Sequence, residues 1–150
     1  MRPLLLDTNV ISELRKKPGI IDSNVLAWSR SVEIVSCSLC SVTIYELERG
    51  ILLLAKKDHR QATLLTKWLD GIKNVEFKGR ILPIDCDVAS QAAALQLPNP
   101  MSLPDAFIAA TALVNDLTLA TRNIDDYLST GVRLVNPWES GAPVLTDVSL

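Results

Sequence analysis

The sequence predicts an α/β protein, a three-layer α/β/α sandwich in which helices cover both faces of a central, mainly parallel sheet of four or five strands. Short apolar runs of strand length alternate with longer segments of helical periodicity along the chain. The strand segments are apolar at nearly every position, which is typical of strands buried on both faces. A chain of 150 residues with 48% hydrophobic residues can also build a complete core.

The predicted elements follow in order from the N-terminus. A buried strand at 3–6 leads into a short helix at 8–15 and a second helix at 22–32, which Asp22 or Ser23 caps. Further strands are predicted at 34–38, 80–84, 117–121 and 132–135. Further helices are predicted at 41–57, 58–72, 88–97 and 104–115, with Asp87 capping the third of these and Pro104 opening the last.

The chain shows no linker, internal repeat or low-complexity block. We therefore expect one domain over residues 1–150, with its core at about 3–138 and a loose tail at 140–150. The apolar run at the N-terminus is too short for a signal peptide. No apolar run approaches the roughly 20 residues of a membrane span. A soluble, cytoplasmic protein without membrane association is the expectation.

Charge and cysteine content exclude some classes of function. The net charge of −2 and the pI of about 5.3 provide no global positive field for a nucleic acid, so such a partner would need local basic patches. Cys37 and Cys40 have the spacing of a zinc knuckle, but no second pair accompanies them and His59 is the one histidine. We expect these two and Cys86 to be reduced, buried thiols.

Acidic residues fall where the predicted sheet should carry its chemistry. In open α/β sheets, ligands bind beyond the carboxyl ends of the strands. Asp7 in "LLLDTN" directly follows the first strand, and Asp126 comes shortly after the fourth. Glu46 lies about one turn inside the helix after the second strand, and Asp105 lies in the first turn of a later helix. Four acids from distant parts of the chain could meet at one edge.

Each acid also has a purely structural interpretation. Asp7 could cap the helix that begins at Thr8, and Asp105 could serve the helix dipole. Glu46 lies on a partly apolar stripe and needs a partner, which Arg49 could provide. Only their joint placement points to a function.

Clustered carboxylates indicate metal chemistry. They repel one another unless a cation neutralises them, and hard oxygen ligands select Mg²⁺ or Mn²⁺. The chain has no serine-nucleophile motif, no glycine-rich phosphate loop and no plausible Cys–His pair. Metal-dependent hydrolysis of phosphodiester bonds is the reaction that this set of residues suits.

Four segments together resemble the signature blocks of PIN-domain ribonucleases: "LLLDTNVISEL", "SVTIYELERG", "LPDAFIAATAL" and "LATRNIDDY". The resemblance is nearest to the VapC-type toxins of toxin–antitoxin pairs, including the FitB-like branch. It spans residues 4 to about 138 and ends in "NPWE", which is similar to the last strand of the family. The blocks are specific as an ordered set, whereas any one alone would be weak.

The resemblance implies a catalytic site. It implies that Asp7, Glu46 and Asp105 are metal ligands for Mg²⁺ or Mn²⁺. The fourth acid of the family falls at Asn123 or three residues later. Because Asn123 is an amide, we assign this catalytic and metal-binding role to Asp126, with Asn123 as a polar helper. Because Asn123 departs from the acid of the family at this position, the sequence leaves open whether the site holds one metal ion or two. Supporting roles are implied for Thr8 and Asn9, which would hydrogen-bond Asp7, and for Thr121, which would orient metal-bound water.

The implied activity is endonucleolytic cleavage of cellular RNA by the toxin of a type II toxin–antitoxin system, with structured RNA such as transfer RNA as the family precedent. The implied partners are an antitoxin protein, whose tail enters the acidic groove, and a second copy in a homodimer. The segment 42–69, which includes Trp68, could supply the dimer surface or simply core. Candidate RNA-binding cations are Arg15, Lys16, Arg49 and Arg122.

Two enzyme classes with a similar opening segment do not fit. A haloacid-dehalogenase phosphatase needs a second Asp at the position of Asn9, and a response-regulator receiver needs a lysine where Arg122 stands. The remaining alternative is a non-catalytic PIN-fold module that binds RNA or protein. The complete set of acids argues against that alternative.

Overall fold

A computed structural model describes residues 2–142 and 144–145. The six strands of its sheet are β1 (Leu4–Leu6), β2 (Cys37–Cys40), β3 (Ile81–Leu82), β4 (Thr118–Ala120), β5 (Leu134–Val135) and β6 (Val144–Leu145). They lie in the order β3-β2-β1-β4-β5-β6. The first five strands are parallel to one another and β6 pairs antiparallel with β5. The predicted mainly parallel sheet is confirmed, with a short antiparallel strand added at one edge.

Seven α-helices accompany the sheet in the described part of the chain: α1 (Thr8–Leu14), α2 (Ser23–Ser31), α3 (Ser41–Ala55), α4 (His59–Gly71), α5 (Cys86–Ala94), α6 (Leu103–Val114) and α7 (Ile124–Tyr127). A π-helical turn at Ile72–Glu76 extends α4. The helices pack on both faces of the sheet, as the central strand shows. Leu4 and Leu6 join one core cluster with Phe77, whereas Leu5 joins another with Ile108. Alternate side chains of β1 thus enter opposite cores, and the predicted three-layer sandwich is confirmed.

Two sequence predictions about element boundaries were wrong. The second strand was expected at 34–38, but a 3₁₀ turn occupies Ile34–Ser36 and the strand begins at Cys37. Asp87 was expected to cap the fifth helix, but Asp85 does so, accepting the Val88 N–H at 3.0 Å from an extended backbone. A cap must lie just outside the helix, and Asp87 is already inside it.

Other details concern the caps, the cysteines and the C-terminal segment. Asp22 is the cap of α2. Cys37 and Cys40 are free and buried as expected, but Cys86 is exposed because it lies at the start of α5, outside the core. The C-terminal segment was expected to be a loose tail. Within it, Val144–Leu145 forms β6, and positions 143 and 146–150 lie outside the described residues. No helix in the described ranges is long and apolar enough to cross a membrane.

Candidate active site

Asp7 stands where β1 ends and α1 begins. Its backbone is extended, and its amide donates to the carbonyl oxygen of Ala120 at 2.9 Å, which keeps β1 and β4 paired to this point. The carboxylate oxygen Oδ1 accepts the Thr8 N–H at 2.7 Å. Asp7 therefore does cap α1, as its structural interpretation predicted. The cap uses one oxygen only, and the other is available for a different role.

That second oxygen, Oδ2, is surrounded by donors from the far end of the chain. The Thr121 hydroxyl donates to it at 2.7 Å, and the Tyr127 hydroxyl lies 3.3 Å away. The Asn9 side-chain amide lies 3.5 Å away, at the limit of a hydrogen bond. The Asp7 side chain is only 5% exposed. The Thr121 hydroxyl proton is therefore committed to Asp7, and the supporting role expected for Asn9 stays a prediction.

Glu46 reaches the same region from α3. The Thr8 hydroxyl donates to Glu46 Oε1 at 2.7 Å and lies 3.1 Å from the hydroxyl of Thr43. Thr43 and Glu46 are three residues apart and so share one face of the helix. In the described ranges the only ion pairs are Glu13–Lys16 and Asp116–Arg133. The Glu46–Arg49 pair considered from the sequence is not among them.

Asp105 approaches from the first turn of α6. Ser102 caps this helix by accepting the Asp105 N–H at 3.3 Å, and Pro104 lies in its first turn. The carboxylate oxygen Oδ1 of Asp105 lies 3.0 Å from the hydroxyl of Tyr127. Because the same hydroxyl lies beside Asp7, the two acids are joined through one phenol oxygen.

The electrostatics follow from this convergence. The pKa of Asp7 is raised to about 6. Burial is the largest cause, and the charges of Asp105 and Glu46 also raise the pKa, whereas hydrogen bonds from Thr121 and Thr8 lower it. Burial and the charges of Asp7 and Asp105 likewise raise the pKa of Tyr127. The phenol therefore keeps its proton at neutral pH and acts as a donor. A cation near these acids would offset both effects.

The donor set fits a hard divalent cation. Asp7, Glu46 and Asp105 contribute carboxylate oxygens, which Mg²⁺ and Mn²⁺ prefer. Oε1 of Glu46 and Oδ1 of Asp105 point at hydroxyls, and each carboxylate has lone pairs beyond those bonds. Over residues 2–142 and 144–145, no three acid, imidazole or thiol groups are close enough to form a ready-made metal cage. The three acids converge without closing around a common point.

Asp126, the predicted fourth acid, lies apart from this network. It is exposed on α7 and lines an open polar cavity of about 410 Å³ together with Arg122, Asn123, Asp125, Asn136 and Glu139. Asn123 is exposed as well, and its backbone N–H donates to the Thr121 hydroxyl at 3.1 Å. The cavity therefore adjoins the acidic site through Thr121.

The four candidate RNA-binding cations have different surroundings. Arg122 adjoins the acidic site through Asn9, whose side-chain oxygen accepts the backbone N–H of Arg122 at 3.3 Å. Its guanidinium lies 5.3 Å from the ring centre of Trp138. Arg15 lies over Trp68 at 6.0 Å, and Lys16 pairs with the buried Glu13 at 2.6 Å. Arg49 is exposed. The charge of Lys16 is already engaged within the protein.

Sequence reasoning missed two hydroxyl residues of the network, Tyr127 and Thr43. The position of Thr43 carries a usable signal, because a residue three before Glu46 shares its helix face. Tyr127 ends the block "TRNIDDY", directly after two acids that are themselves candidate ligands. A buried tyrosine hydroxyl needs a polar partner, which would have pointed to the acids.

Comparison with known proteins identifies the family to which this fold belongs. The PIN domain family model matches residues 4–129. VapC ribonuclease Y4jK of Sinorhizobium fredii is 35% identical over 91% of this chain and 98% of its own length. Toxin FitB of Neisseria gonorrhoeae is 36% identical over 90% of this chain and 98% of its own length.

Solved structures agree with these relatives. A structure of FitAB bound to the IR36 DNA fragment matches with a TM-score of 0.80 and 31% identity, over 91% of this chain and 96% of the other. A toxin–antitoxin complex from Klebsiella pneumoniae matches with a TM-score of 0.64 and 27% identity, over 91% and 98%. The protein is thus an α/β/α sandwich with a mainly parallel sheet, and it carries acidic residues at the carboxyl edge of that sheet. The chain belongs to the PIN-domain family, and within it to the VapC-type toxins.

Proposed function

We propose that this protein is a Mg²⁺- or Mn²⁺-dependent endoribonuclease, the toxin component of a type II toxin–antitoxin system, that hydrolyses phosphodiester bonds of cellular RNA. One observation carries the proposal. Asp7, Glu46 and Asp105 come from three separate segments and approach one another at the carboxyl edge of the sheet. Thr8 links Asp7 to Glu46 through its backbone N–H and its hydroxyl, and the Tyr127 hydroxyl links Asp7 to Asp105. Assembling like charges in this way is unfavourable without a cation, so the cluster is best explained by a metal-dependent reaction.

Each residue of the site has a role in this proposal. Asp7, Glu46 and Asp105 would hold the cation, with Asp126 as the fourth acid of the site, in the adjoining polar cavity. When bound, such an ion supplies a Lewis acid that shields the phosphodiester charge and makes water more acidic. Thr121 and Asn9 fix the orientation of Asp7. The exposed guanidinium groups of Arg122 and Arg49 are available to RNA phosphates.

The proposed substrate and antitoxin follow from the relatives. One relative is named a ribonuclease and another a toxin, and a matching structure is a toxin–antitoxin complex. RNA is therefore the proposed substrate and an antitoxin protein the proposed partner. With no global positive charge, selection of RNA should depend on the shape of unpaired loops.

A homodimer is also proposed, through exposed leucines on α3 and α4. Leu52, Leu53 and Leu64 are 65%, 48% and 56% exposed, whereas Ile51 and Leu69 of the same helices enter the core. The segment 42–69 thus provides core on one side and apolar surface on the other. Sedimentation of the wild type and Leu52→Glu tests this, because a charge in a dimer interface should yield monomers.

The decisive experiment is a cleavage assay with mapped RNA ends. Purified protein is incubated with total transfer RNA in Mg²⁺ and in EDTA, alongside Asp7→Asn, Glu46→Gln and Asp105→Asn. We expect discrete new ends with Mg²⁺ only, and none with the three variants. Glu48→Gln and Asp85→Asn are the matched controls outside the network, and should cleave within a few-fold of wild type. Undiminished cleavage in EDTA would refute the metal mechanism, and RNA binding without cleavage would favour the non-catalytic module.

A further inference from the structure

Tyr127 has no role in the site implied by the resemblance, yet its hydroxyl is the link between two of the acids. Its ring is fully buried in the cluster that contains Ile108, Leu119 and Leu134. Its carbonyl oxygen accepts the Thr130 hydroxyl at 2.6 Å, which anchors the backbone at the end of α7. The ring therefore has little freedom, and its hydroxyl is held at a defined point of the carboxyl edge.

At that point the hydroxyl lies between carboxylates carried by different elements. Asp105 Oδ1, on α6, is 3.0 Å away, and Asp7 Oδ2, at the end of β1, is 3.3 Å away. A phenol has one proton and needs one acceptor. One carboxylate would be enough to accept the hydrogen bond of the Tyr127 hydroxyl. The second carboxylate is therefore not needed for that bond, and its presence brings both acids within reach of one hydroxyl.

We propose that Tyr127 is a positioning residue for the cation site, whose hydroxyl holds Asp7 and Asp105 together so that both face the same ion before it binds. The inference rests on the metal-dependent function proposed above. Groups that orient metal ligands reduce the reorganisation that binding requires. The hydroxyl does not itself need to touch the ion or the RNA.

Tyr127→Phe is the direct test, because it removes one oxygen and leaves the ring to fill the same buried volume. We expect the variant to fold and the affinity for Mg²⁺ to fall roughly 10- to 100-fold. The Mg²⁺ concentration that gives half-maximal cleavage should rise in parallel, while the KM for RNA at saturating Mg²⁺ stays unchanged. A tyrosine with a purely structural role would alter the melting temperature without altering the Mg²⁺ midpoint.

The affinity is measured without RNA, from the rise in melting temperature as Mg²⁺ is added and from Mn²⁺ binding by electron paramagnetic resonance. Tyr45→Phe is the matched control. It removes the other phenol oxygen of a chain that has two tyrosines, from a side chain that is 59% exposed. Its Mg²⁺ midpoint should equal that of the wild type.

The outcomes separate the two proposals. A wild type that does not respond to Mg²⁺ or Mn²⁺ refutes the metal-dependent function itself. A wild type that responds, with Tyr127→Phe responding at the same midpoint, overturns the positioning role alone. If Tyr127→Phe fails to fold, the positioning role is tested instead by labelling the wild-type chain with 3-fluorotyrosine. The ¹⁹F resonance of Tyr127, assigned with Tyr45→Phe, should shift along the Mg²⁺ titration, and an unmoved resonance would reject the inference.

Discussion

The hydroxyl of Thr8 lies 2.7 Å from Oε1 of Glu46 and so ties the first residue of α1 to the middle of α3. The two residues are 38 positions apart in the chain. The backbone of Thr8 donates at the same time to Asp7. One residue therefore bonds to both acids, through its amide to one and through its hydroxyl to the other. This dual contact explains why a hydroxyl residue directly follows Asp7.

Replacing Thr8 should separate these two contacts. Thr8→Val keeps the backbone N–H that donates to Asp7 but loses the hydroxyl, so Glu46 loses the group that orients it. We expect cleavage to fall roughly 10- to 100-fold, as when outer hydrogen bonds of a metal ligand are removed. Thr8→Ser restores the hydroxyl and should recover most of the activity. Equal losses in both variants would mean that the hydroxyl is not what matters. The measurement is the initial rate of RNA cleavage at fixed Mg²⁺.

A second prediction concerns charge repulsion at Asp105. Without a metal, the charges of Asp105 and Glu46 act unfavourably on Asp7. Asp105→Asn removes one charge, and its amide oxygen can still accept from Tyr127. The variant should therefore melt higher than the wild type in EDTA, although it is inactive. Mg²⁺ should raise the melting temperature of the wild type by mass action and that of the variant much less.

The structural interpretation of Asp105 predicts the reverse. If this carboxylate acts only on the dipole of α6, the amide loses that interaction and the variant melts lower. Mg²⁺ would then affect neither protein. Two thermal melts for each protein, one with EDTA and one with Mg²⁺, distinguish these results.

The pKa of Asp7 leads to a third prediction, about pH. The pKa rises from 3.8 to about 6 on folding, so between these values the folded protein holds a proton that the unfolded chain has lost. Stability therefore falls as the pH rises through this window, and the full cost, on the order of 3 kcal/mol, is present above pH 6. Asp7→Asn has no such titration. In EDTA, the stability of Asp7→Asn relative to that of the wild type should therefore increase from pH 4 to pH 7.

Urea unfolding of both proteins at the two pH values measures this difference. A difference in free energy of unfolding that is the same at both pH values can come from lost or gained hydrogen bonds. Only a difference that changes with pH reports on the titration of the Asp7 carboxylate. Mg²⁺ at pH 7 should shrink the advantage of Asp7→Asn, because the ion stabilises the charged wild type. An offset that does not change with pH would contradict the prediction.

The fourth acid is the subject of the last prediction. Asp126 and Asp125 are both exposed and line the same polar cavity. We assign the catalytic role to Asp126, so Asp126→Asn should reduce cleavage more than Asp125→Asn. The reduction should be smaller than for Asp105→Asn, because the described contacts place Asp105, and not Asp126, against Tyr127. Cleavage rates at several Mg²⁺ concentrations measure the order, and a larger loss at Asp125 would reject the assignment.

The sequence predicted the fold class because buried parallel strands and amphipathic helices carry different apolar periods. It misplaced the second strand because Ile34 and Val35 look like strand residues. They are 49% and 70% exposed in a 3₁₀ turn, and so short an apolar run does not distinguish a buried strand from an exposed turn. The approach of Asp7, Glu46 and Asp105 followed from topology, since parallel strands end at one edge. The role of Tyr127 did not, because it depends on how α7 packs against α6.

The strand order β2-β1-β4 has a consequence for synthesis of the protein. Asp7 is made early, but the hydroxyls that hold its Oδ2 come from residues 114 and 120 positions later. A nascent chain whose segment around Thr121 and Tyr127 is still inside the ribosome lacks β4, one of the two strands that pair with β1, and has no assembled acidic site. The acidic site therefore assembles only once these later residues have joined the sheet, and the RNA-cleaving activity proposed for it would be absent from a nascent chain that has not reached them.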